Sequence, residues 1–325
     1  MQTVYERVTE QIVAALEKGN VGEWQMPWAT KGMQLPYNVV SKKPYRGVNT
    51  LVLWATAMDK GYSSPEWATY NQWVDLGAQV RKGEKSATIV FWKFSDRKEE
   101  TQDPNGAIET TTSKLVMARA YHVFNAGQVD GYTVKAQEPI KSDLQRIEDA
   151  ETFFRAQGAD LRHGGNRAFY RPKNNLGSGE GDFIMMPNFE QFHGVPEYYS
   201  TLAHEFTHWT ADPSRCDRQL GKRFGDESYA VEELIAELGS AFITGTLGLE
   251  SAPRTDHAQY LSHWLKVLRA DSKAIFTAAS QAQKAADYLV AQAQLAMRPS
   301  ANDYKLKLYL VPPLDRRHLK AYLST

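Results

Sequence analysis

The chain has 325 residues, of which 42% are hydrophobic and 23% are charged, a composition typical of globular proteins. At about 150 residues per domain, this length predicts two domains, and the apolar runs are far shorter than the roughly 20 residues of a membrane-spanning helix, which argues against a membrane protein. The 38 basic and 38 acidic side chains cancel, which removes the simplest argument for a nucleic-acid partner, a basic chain drawn to phosphate.

Helical spacing of apolar residues begins close to the N-terminus. It predicts one helix over residues 4–18 and a second over 49–60 that ends at Gly61. Ser64-Pro65-Glu66 combines a capping serine with a proline at the first helical position. It predicts a third helix that runs to Leu76.

Beyond the third helix the apolar period changes. Residues 87–94 and 115–124 are rich in β-branched and aromatic side chains and predict two strands. Between them we expect a polar loop over 96–113, with Asp103-Pro-Asn-Gly106 as a turn. The N-terminal unit is therefore predicted to be α+β.

The second unit begins after a polar, proline-bearing stretch. We predict a helix over 143–157, a short strand over 181–186 and mostly helix over 196–296, with glycine breaks near Gly221, Gly225 and Gly245 to Gly248. The predicted division is an N-terminal domain over 1–135, a linker over 136–142, a mainly helical domain over 143–298 and a tail outside both over 299–325.

The zero net charge hides two segments of opposite charge, one basic and one acidic. Residues 31–95 carry nine Lys/Arg against four Asp/Glu, whereas residues 197–250 carry ten acids against four bases. Six of the eight tryptophans also lie in the first 95 residues. The lone Cys216 cannot form an internal disulfide, and the N-terminus lacks the pattern of a secretory signal, so we expect a cytoplasmic protein.

The pentapeptide His204-Glu205-Phe-Thr-His208 lies in a segment compatible with a helix. Side chains at positions i and i+4 of a helix share one face, so both imidazoles can point at one metal ion. Glu205 can take a proton from a water at that ion. Leu202, Phe206 and Trp209 are available to pack in the core. The motif predicts a catalytic metal centre.

Catalytic zinc usually takes a third protein ligand, and residues 229–237 offer three glutamates on one predicted helix. We choose Glu233, because Glu237 lies one turn further on and can accept the free N–H of a ligating histidine. Glu232 lacks that support, since Ala236 is its neighbour one turn on. By ligand type the ion is Zn²⁺, although Mn²⁺ or another divalent ion also suits two histidines and a carboxylate.

Two further features bear on a peptidase reaction. The strand over 182–187 is a candidate edge strand for an extended peptide, although such a strand is more often part of the core. Tyr260 or His257 could donate a hydrogen bond to the developing oxyanion.

Both halves of the chain resemble one family, the ArdC-type antirestriction proteins of conjugative plasmids, which are related to the C-terminal part of TraC primases. The motifs that carry the resemblance are Trp24-Gln-Met-Pro-Trp28, Pro44-Tyr-Arg-Gly-Val-Asn49, Trp67-Ala-Thr-Tyr-Asn-Gln72, Gly77-Ala-Gln-Val-Arg-Lys-Gly-Glu-Lys85, Tyr121-His-Val-Phe-Asn125, residues 198–209, residues 229–237 and residues 278–288. The resemblance covers residues 3–295 and leaves out the tail.

The resemblance implies an N-terminal domain that binds single-stranded DNA, joined to a zincin-like metallopeptidase domain, in a protein that protects incoming plasmid DNA from host restriction. Single strands are held by aromatic rings that stack on bases and by cations that contact phosphates. Both kinds of side chain are concentrated in residues 31–95, which is consistent with the DNA-binding domain that the resemblance implies. The candidate DNA-binding residues are Tyr45, Arg46, Trp67, Tyr70, Arg81, Lys82 and Lys85. A tryptophan in a small domain is more often core than platform.

Three alternatives stay open at this point. The chain could be a DNA-binding module whose peptidase fold is catalytically silent. It could be a regulatory metallopeptidase that cleaves a protein partner recognised by the first domain. It could also be a primase accessory, although the sequence shows neither an acidic metal cluster nor the zinc-ribbon cysteines of a polymerising domain.

Overall fold

A computed structural model describes residues 2–18, 34–102, 108–134, 143–173, 181–220, 227–250 and 257–296. Within these ranges, the side chains of 94–102, 108–116, 143–144, 227 and 257–259 are left out of the description. The predicted linker over 136–142, the turn at 103–106, Gly221, Gly225 and the tail over 299–325 lie outside the described residues. Among the helices described, none is both long and apolar enough to cross a membrane.

Two helices of the N-terminal unit form where the apolar spacing predicts them. Helix α1 spans Val4–Lys18 and helix α2 spans Val48–Lys60. Ile12 and Leu16 lie one turn apart on α1, and each is at most 1% exposed. The chain leaves α2 through Gly61, whose φ of 69° is left-handed and suits glycine. Both helix predictions are confirmed.

The prediction for the third helix is wrong about the residue at which the helix begins. Residues Glu66–Ala68 form strand β2, and helix α3 covers Tyr70–Asp75. Thr69 caps this helix, because its hydroxyl accepts a hydrogen bond from the Gln72 backbone N–H and the Gln72 side chain accepts one from the Thr69 N–H. This capping box begins five residues after Ser64 and fixes the start of the helix there.

Four strands form the main sheet of the N-terminal unit, in the order β1-β2-β5-β4. Strand β1 is Tyr37–Asn38, β4 is Ala87–Gln102 and β5 is Ile108–Asn125. β1 runs parallel to β2, whereas β2 with β5 and β5 with β4 are antiparallel. A separate antiparallel pair joins β3, Gln79–Val80, to β6, Val129–Asp130.

The polar loop expected over 96–113 is instead part of a long hairpin. β4 and β5 stay in register from Ala87 opposite Val123 to Gln102 opposite Ile108. Residues 110–112 are three threonines, whose β-branched side chains favour strands. The polarity of this segment was therefore not sufficient to indicate a loop.

The second unit is mainly helical, as predicted. Its helices are α4 (Asp143–Arg155), α5 (Val195–Trp209), α6 (Glu227–Leu247), α7 (His257–Ala270) and α8 (Ala274–Ala296). The chain is thus a mixture of helices and strands, which confirms the predicted α+β class. Gly245 lies inside α6, and the break comes at Gly248, whose φ is 67°.

The candidate edge strand for a peptide is in fact a central strand. Strand β9, Phe183–Met186, lies between β7, Leu161–His163, and β8, Phe169–Arg171. It pairs in parallel with β7 and antiparallel with β8, so both of its edges are occupied. A peptide therefore cannot add to β9 as an extra strand.

The largest hydrophobic core joins the two units. It combines residues of α1 and α2 with residues of α4 to α8. Tyr5 of α1 packs edge-on against Phe276 of α8 with ring centroids 4.8 Å apart, and Trp54 of α2 lies 6.0 Å from Phe242 of α6. Because apolar burial dominates folding, these contacts hold the units together. The boundary over 136–142 stays a prediction.

Candidate metal centre

Helix α5 places the two histidines of the motif on one face. Pro196 lies in its first turn, where proline is well tolerated. The Nε2 atoms of His204 and His208 lie 3.1 Å apart. The core side chains predicted for this helix, which are Leu202, Phe206 and Trp209, are at most 6% exposed.

Helix α6 brings Glu233 to the same point. One Glu233 carboxylate oxygen lies 3.5 Å from His204 Nε2, and the other lies 3.6 Å from His208 Nε2. Ligand atoms bound at roughly 2.0–2.2 Å to a tetrahedral ion lie about 3.3–3.6 Å apart, so this donor set fits a divalent ion. Among the described residues, His204, His208 and Glu233 form the group of three that could hold a metal.

A glycine lets the two ligand-bearing helices approach closely. A Cβ atom on Gly239 of α6 would lie 2.5 Å from both Cγ2 and Oγ1 of Thr207, which lies on α5 between the motif histidines. The Ser240 hydroxyl beside it donates to the Ser200 carbonyl of α5 at 2.7 Å. The distance between the helices, and with it the spacing of the metal ligands, depends on this small residue.

Each imidazole also faces a second carboxylate on its outer nitrogen. His204 Nδ1 lies 3.6 Å from Glu237, the residue chosen from the sequence for this position. His208 Nδ1 lies 3.2 Å from Glu232, for which the sequence pattern predicted no role at the metal. Carboxylates in these positions fix the orientation and tautomer of ligating histidines. Two ligating histidines need two such acceptors, and this requirement is the sequence signal that could have indicated Glu232.

Arg218 is the second residue that contacts Glu232. The sequence pattern did not predict a role for it either. Its guanidinium donates to both Glu232 oxygens, at 3.2 and 3.0 Å, and both side chains are 4% exposed. It also donates to the Thr207 carbonyl at 2.6 Å and the Thr210 hydroxyl at 2.8 Å, near the end of α5. Burial raises the pKa of Glu232, but hydrogen bonds from His208 and Arg218 outweigh it and lower the pKa overall.

The remaining candidates for catalysis lie on α5 and α7. Glu205 follows the first ligand and is 3% exposed. The Tyr260 hydroxyl lies 3.4 Å from that of Tyr229. Burial, the contact with Tyr260 and the nearby Glu233 carboxylate raise the pKa of Tyr229, so this phenol stays protonated. The role of Tyr260 stays a prediction, and the His257 side chain lies outside the described residues.

One proposed DNA-stacking residue is corrected by its burial. Trp67 is 1% exposed and packs edge-on against Tyr62, with ring centroids 6.0 Å apart, in a core that includes Leu53 and Val123. A base cannot stack on a ring that solvent does not reach, so Trp67 belongs to the core.

The other DNA-binding candidates lie at or near the surface. Tyr70 is 46% exposed, and Lys82 and Lys85 are exposed. Arg81 is exposed and pairs with Glu84 at 2.9 Å and with Asp130 at 3.4 Å.

Tyr45 and Arg46 lie at the junction of the two units. Tyr45 is partly buried and accepts a hydrogen bond from Asn38 at 3.2 Å. Arg46 is exposed and forms an ion pair with Asp287 of α8.

Comparison with known proteins decides the family. The model described as the N-terminal domain of anti-restriction factor ArdC matches residues 2–124, and the model described as zincin-like metallopeptidase matches residues 148–281. A metal-free crystal structure of the antirestriction ArdC protein from plasmid R388 is 39% identical, with a TM-score of 0.69, and the match covers 91% of this chain and 100% of that chain. The chain belongs to the ArdC antirestriction family.

Further relatives of this ArdC-family chain include a protein that it matches almost end to end and a primase of which it matches only a part. A Mn(II)-bound structure of the R388 ArdC protein is 37% identical, with a TM-score of 0.68, over 90% of this chain and 98% of that one. The uncharacterized protein y4eC of Sinorhizobium fredii is 45% identical over 91% of this chain and 94% of its own length. DNA primase TraC of Escherichia coli is 38% identical over 88% of this chain, which corresponds to 27% of the primase.

Proposed function

We propose that this ArdC-family protein binds single-stranded DNA entering during conjugation, protects it from host restriction and carries a metal-dependent peptidase site. The observation that carries the peptidase part is the arrangement of His204, His208 and Glu233, each histidine backed by a second carboxylate. Carboxylates in these positions hold the imidazoles in one orientation, in which they can bind a metal. By donor type the ion is Zn²⁺ or Mn²⁺.

The chemistry follows from the groups around that site. A divalent ion there polarises a peptide carbonyl and lowers the pKa of a bound water. Glu205 takes the proton from the attacking water as the new C–O bond forms. The same carboxyl then gives that proton to the leaving amine as the C–N bond breaks. Tyr260, next to the protonated Tyr229, is the proposed donor to the developing oxyanion.

The DNA part rests on the family and on the surface of the N-terminal unit. Residues 31–95 hold the excess of positive charge, and Tyr70, Lys82 and Lys85 are exposed there. Exposed aromatic rings and cations are the groups that hold single strands. Trp67 plays no part in this proposal, because it is buried.

Binding of a labelled single-stranded oligonucleotide tests the DNA part. The full chain is needed, because α1 and α2 share a core with the second unit. We expect the logarithm of the binding constant to fall linearly with the logarithm of salt concentration, with a slope of about −0.7 per phosphate contacted. Fluorescence anisotropy between 50 and 200 mM salt measures this. No affinity at the lowest salt, or affinity independent of salt, would contradict the proposal.

A further inference from the structure

One face of the β4–β5 hairpin exposes aromatic and basic side chains together. Residues on alternate positions of a strand share a face, and the register places Phe91 opposite Arg119, Lys93 opposite Met117 and Ile89 opposite Tyr121. We call the five exposed members of this set the hairpin face: Phe91, Lys93, Met117, Arg119 and Tyr121.

The exposure of this face changes along the strands. Near one end of the hairpin the same face is buried, where Ala87, Ile89 and Val123 pack with Trp67. Two residues further on, Phe91 is 66% exposed, and Tyr121 is 43% exposed. A large aromatic side chain left this exposed forgoes its hydrophobic stabilisation, and clustered exposure of this kind marks interaction sites.

The two exposed rings form one platform. Phe91 and Tyr121 meet edge-on, with ring centroids 5.9 Å apart and planes at 72°. Arg119 and Lys93 lie on the same face and are exposed. Neither forms an ion pair with any side chain that the structure describes. Both cationic groups are exposed and can attract an anionic partner.

A cleft adjoins the hairpin face at the junction with α8. Its volume is about 760 Å³, and Tyr45, Arg46, Phe91, Phe276 and Lys284 are among its lining residues. Clefts of roughly 300–1,000 Å³ accommodate small organic ligands, a size range that suits a nucleotide. The cleft thus continues the platform from Phe91 toward Lys284 and toward Arg46, which is paired with Asp287, another lining residue.

We propose that the hairpin face and the adjoining cleft form the binding surface for single-stranded DNA, an inference that rests on the proposed function. Unpaired bases stack on Phe91 and Tyr121, and the phosphates contact Arg119 and Lys93. Duplex DNA fits poorly, because its bases already stack on each other and offer no open ring face. The negative charge of the phosphates complements the positive charge of the hairpin face.

Single substitutions on the hairpin face test this surface in the full chain. We expect Phe91→Ala and Tyr121→Ala each to weaken binding of a labelled single-stranded 20-mer about 5- to 160-fold, since a stacked aromatic ring is worth roughly 1–3 kcal/mol per base. Phe91→Tyr should keep the affinity. Arg119→Ala should make the salt slope shallower by about 0.7. Fluorescence anisotropy gives the affinities, and thermal melting checks folding.

Matched control substitutions are made at exposed positions of the second unit, far from the hairpin face in the sequence. Leu295→Ala removes an apolar side chain that is 55% exposed, and Lys266→Ala removes an exposed cation of α7. Both should bind the 20-mer like the wild type. A 2-aminopurine base in the oligonucleotide should lose fluorescence on stacking with the wild type and regain it with Phe91→Ala.

The outcomes separate this inference from the proposed function. If the wild type binds and all hairpin-face variants bind equally well, the hairpin face is not the DNA surface, although the proposed function stands. That result is also the one expected if the face docks a protein. If the wild type itself fails to bind single strands, the proposed function fails as well. A selective loss in the Phe91 and Tyr121 variants supports the inference.

Discussion

Glu205→Gln is expected to abolish most peptidase turnover while leaving metal and DNA binding intact. The amide has nearly the volume of the carboxylate but cannot accept a proton, so the general base is lost. General acid–base catalysis contributes about 10²- to 10⁴-fold, and we expect kcat to fall by that factor. Glu205 lies outside the ligand group of His204, His208 and Glu233, so the metal affinity should not change.

The measurement is turnover of fluorescein-labelled casein with added Mn²⁺ or Zn²⁺, together with metal titration calorimetry. Glu148→Gln is the matched control, because Glu148 is an exposed glutamate on α4. Wild-type turnover in Glu205→Gln would contradict the assignment of the general base.

The same Glu205→Gln variant separates two of the alternatives left open by the sequence. If proteolysis drives antirestriction, the variant should fail to protect incoming DNA. Unchanged protection would show that a silent peptidase fold suffices and would favour the binding-module alternative. Conjugation efficiency into a restricting host, compared with a non-restricting host, measures this protection.

Arg218→Met is expected to be the most destabilising of the single substitutions near the metal centre. It removes the arginine that pairs with Glu232 and leaves a buried carboxylate without that positive charge, an imbalance that costs about 3–5 kcal/mol. It also removes the donor to the Thr207 carbonyl near the end of α5. Because Glu232 orients His208, we also expect metal affinity to fall about 10- to 100-fold.

Denaturant unfolding and metal titration calorimetry measure the two effects of Arg218→Met. Adding Glu232→Leu removes both buried charges, so the double variant should regain stability but not metal affinity. Arg155→Met is the control, because Arg155 pairs with Glu151 at 3.8 Å on the surface and should change stability by less than about 1 kcal/mol. Full stability and full metal affinity in Arg218→Met would contradict the positioning role.

Local patterns predicted much of the fold and the central ligands. Apolar spacing gave α1 and α2 nearly to the residue, because both helices bury one regular face. The i and i+4 spacing of His204 and His208, with a carboxylate pair on a second helix, pointed to the metal site that the structure assembles. These features depend on a single helical turn, which the sequence specifies directly.

Features that depend on distant partners could not be predicted in this way. Arg218 and Glu232 are 14 residues apart in the sequence, and only tertiary packing brings them together. Trp67 looked like a stacking ring because its type is compatible with both roles, and tertiary packing decided for burial. Phe91 and Tyr121 are 30 residues apart, and the hairpin register alone brings them together.

The proposed peptidase site depends on a divalent ion held by His204, His208 and Glu233. Crystals of the full chain grown with Mn²⁺ and measured at the manganese absorption edge test it most directly. The structure predicts one strong anomalous peak roughly 2.0–2.3 Å from the two Nε2 atoms and a Glu233 oxygen. A peak at other residues, or no peak between these three at saturating Mn²⁺, would contradict the account.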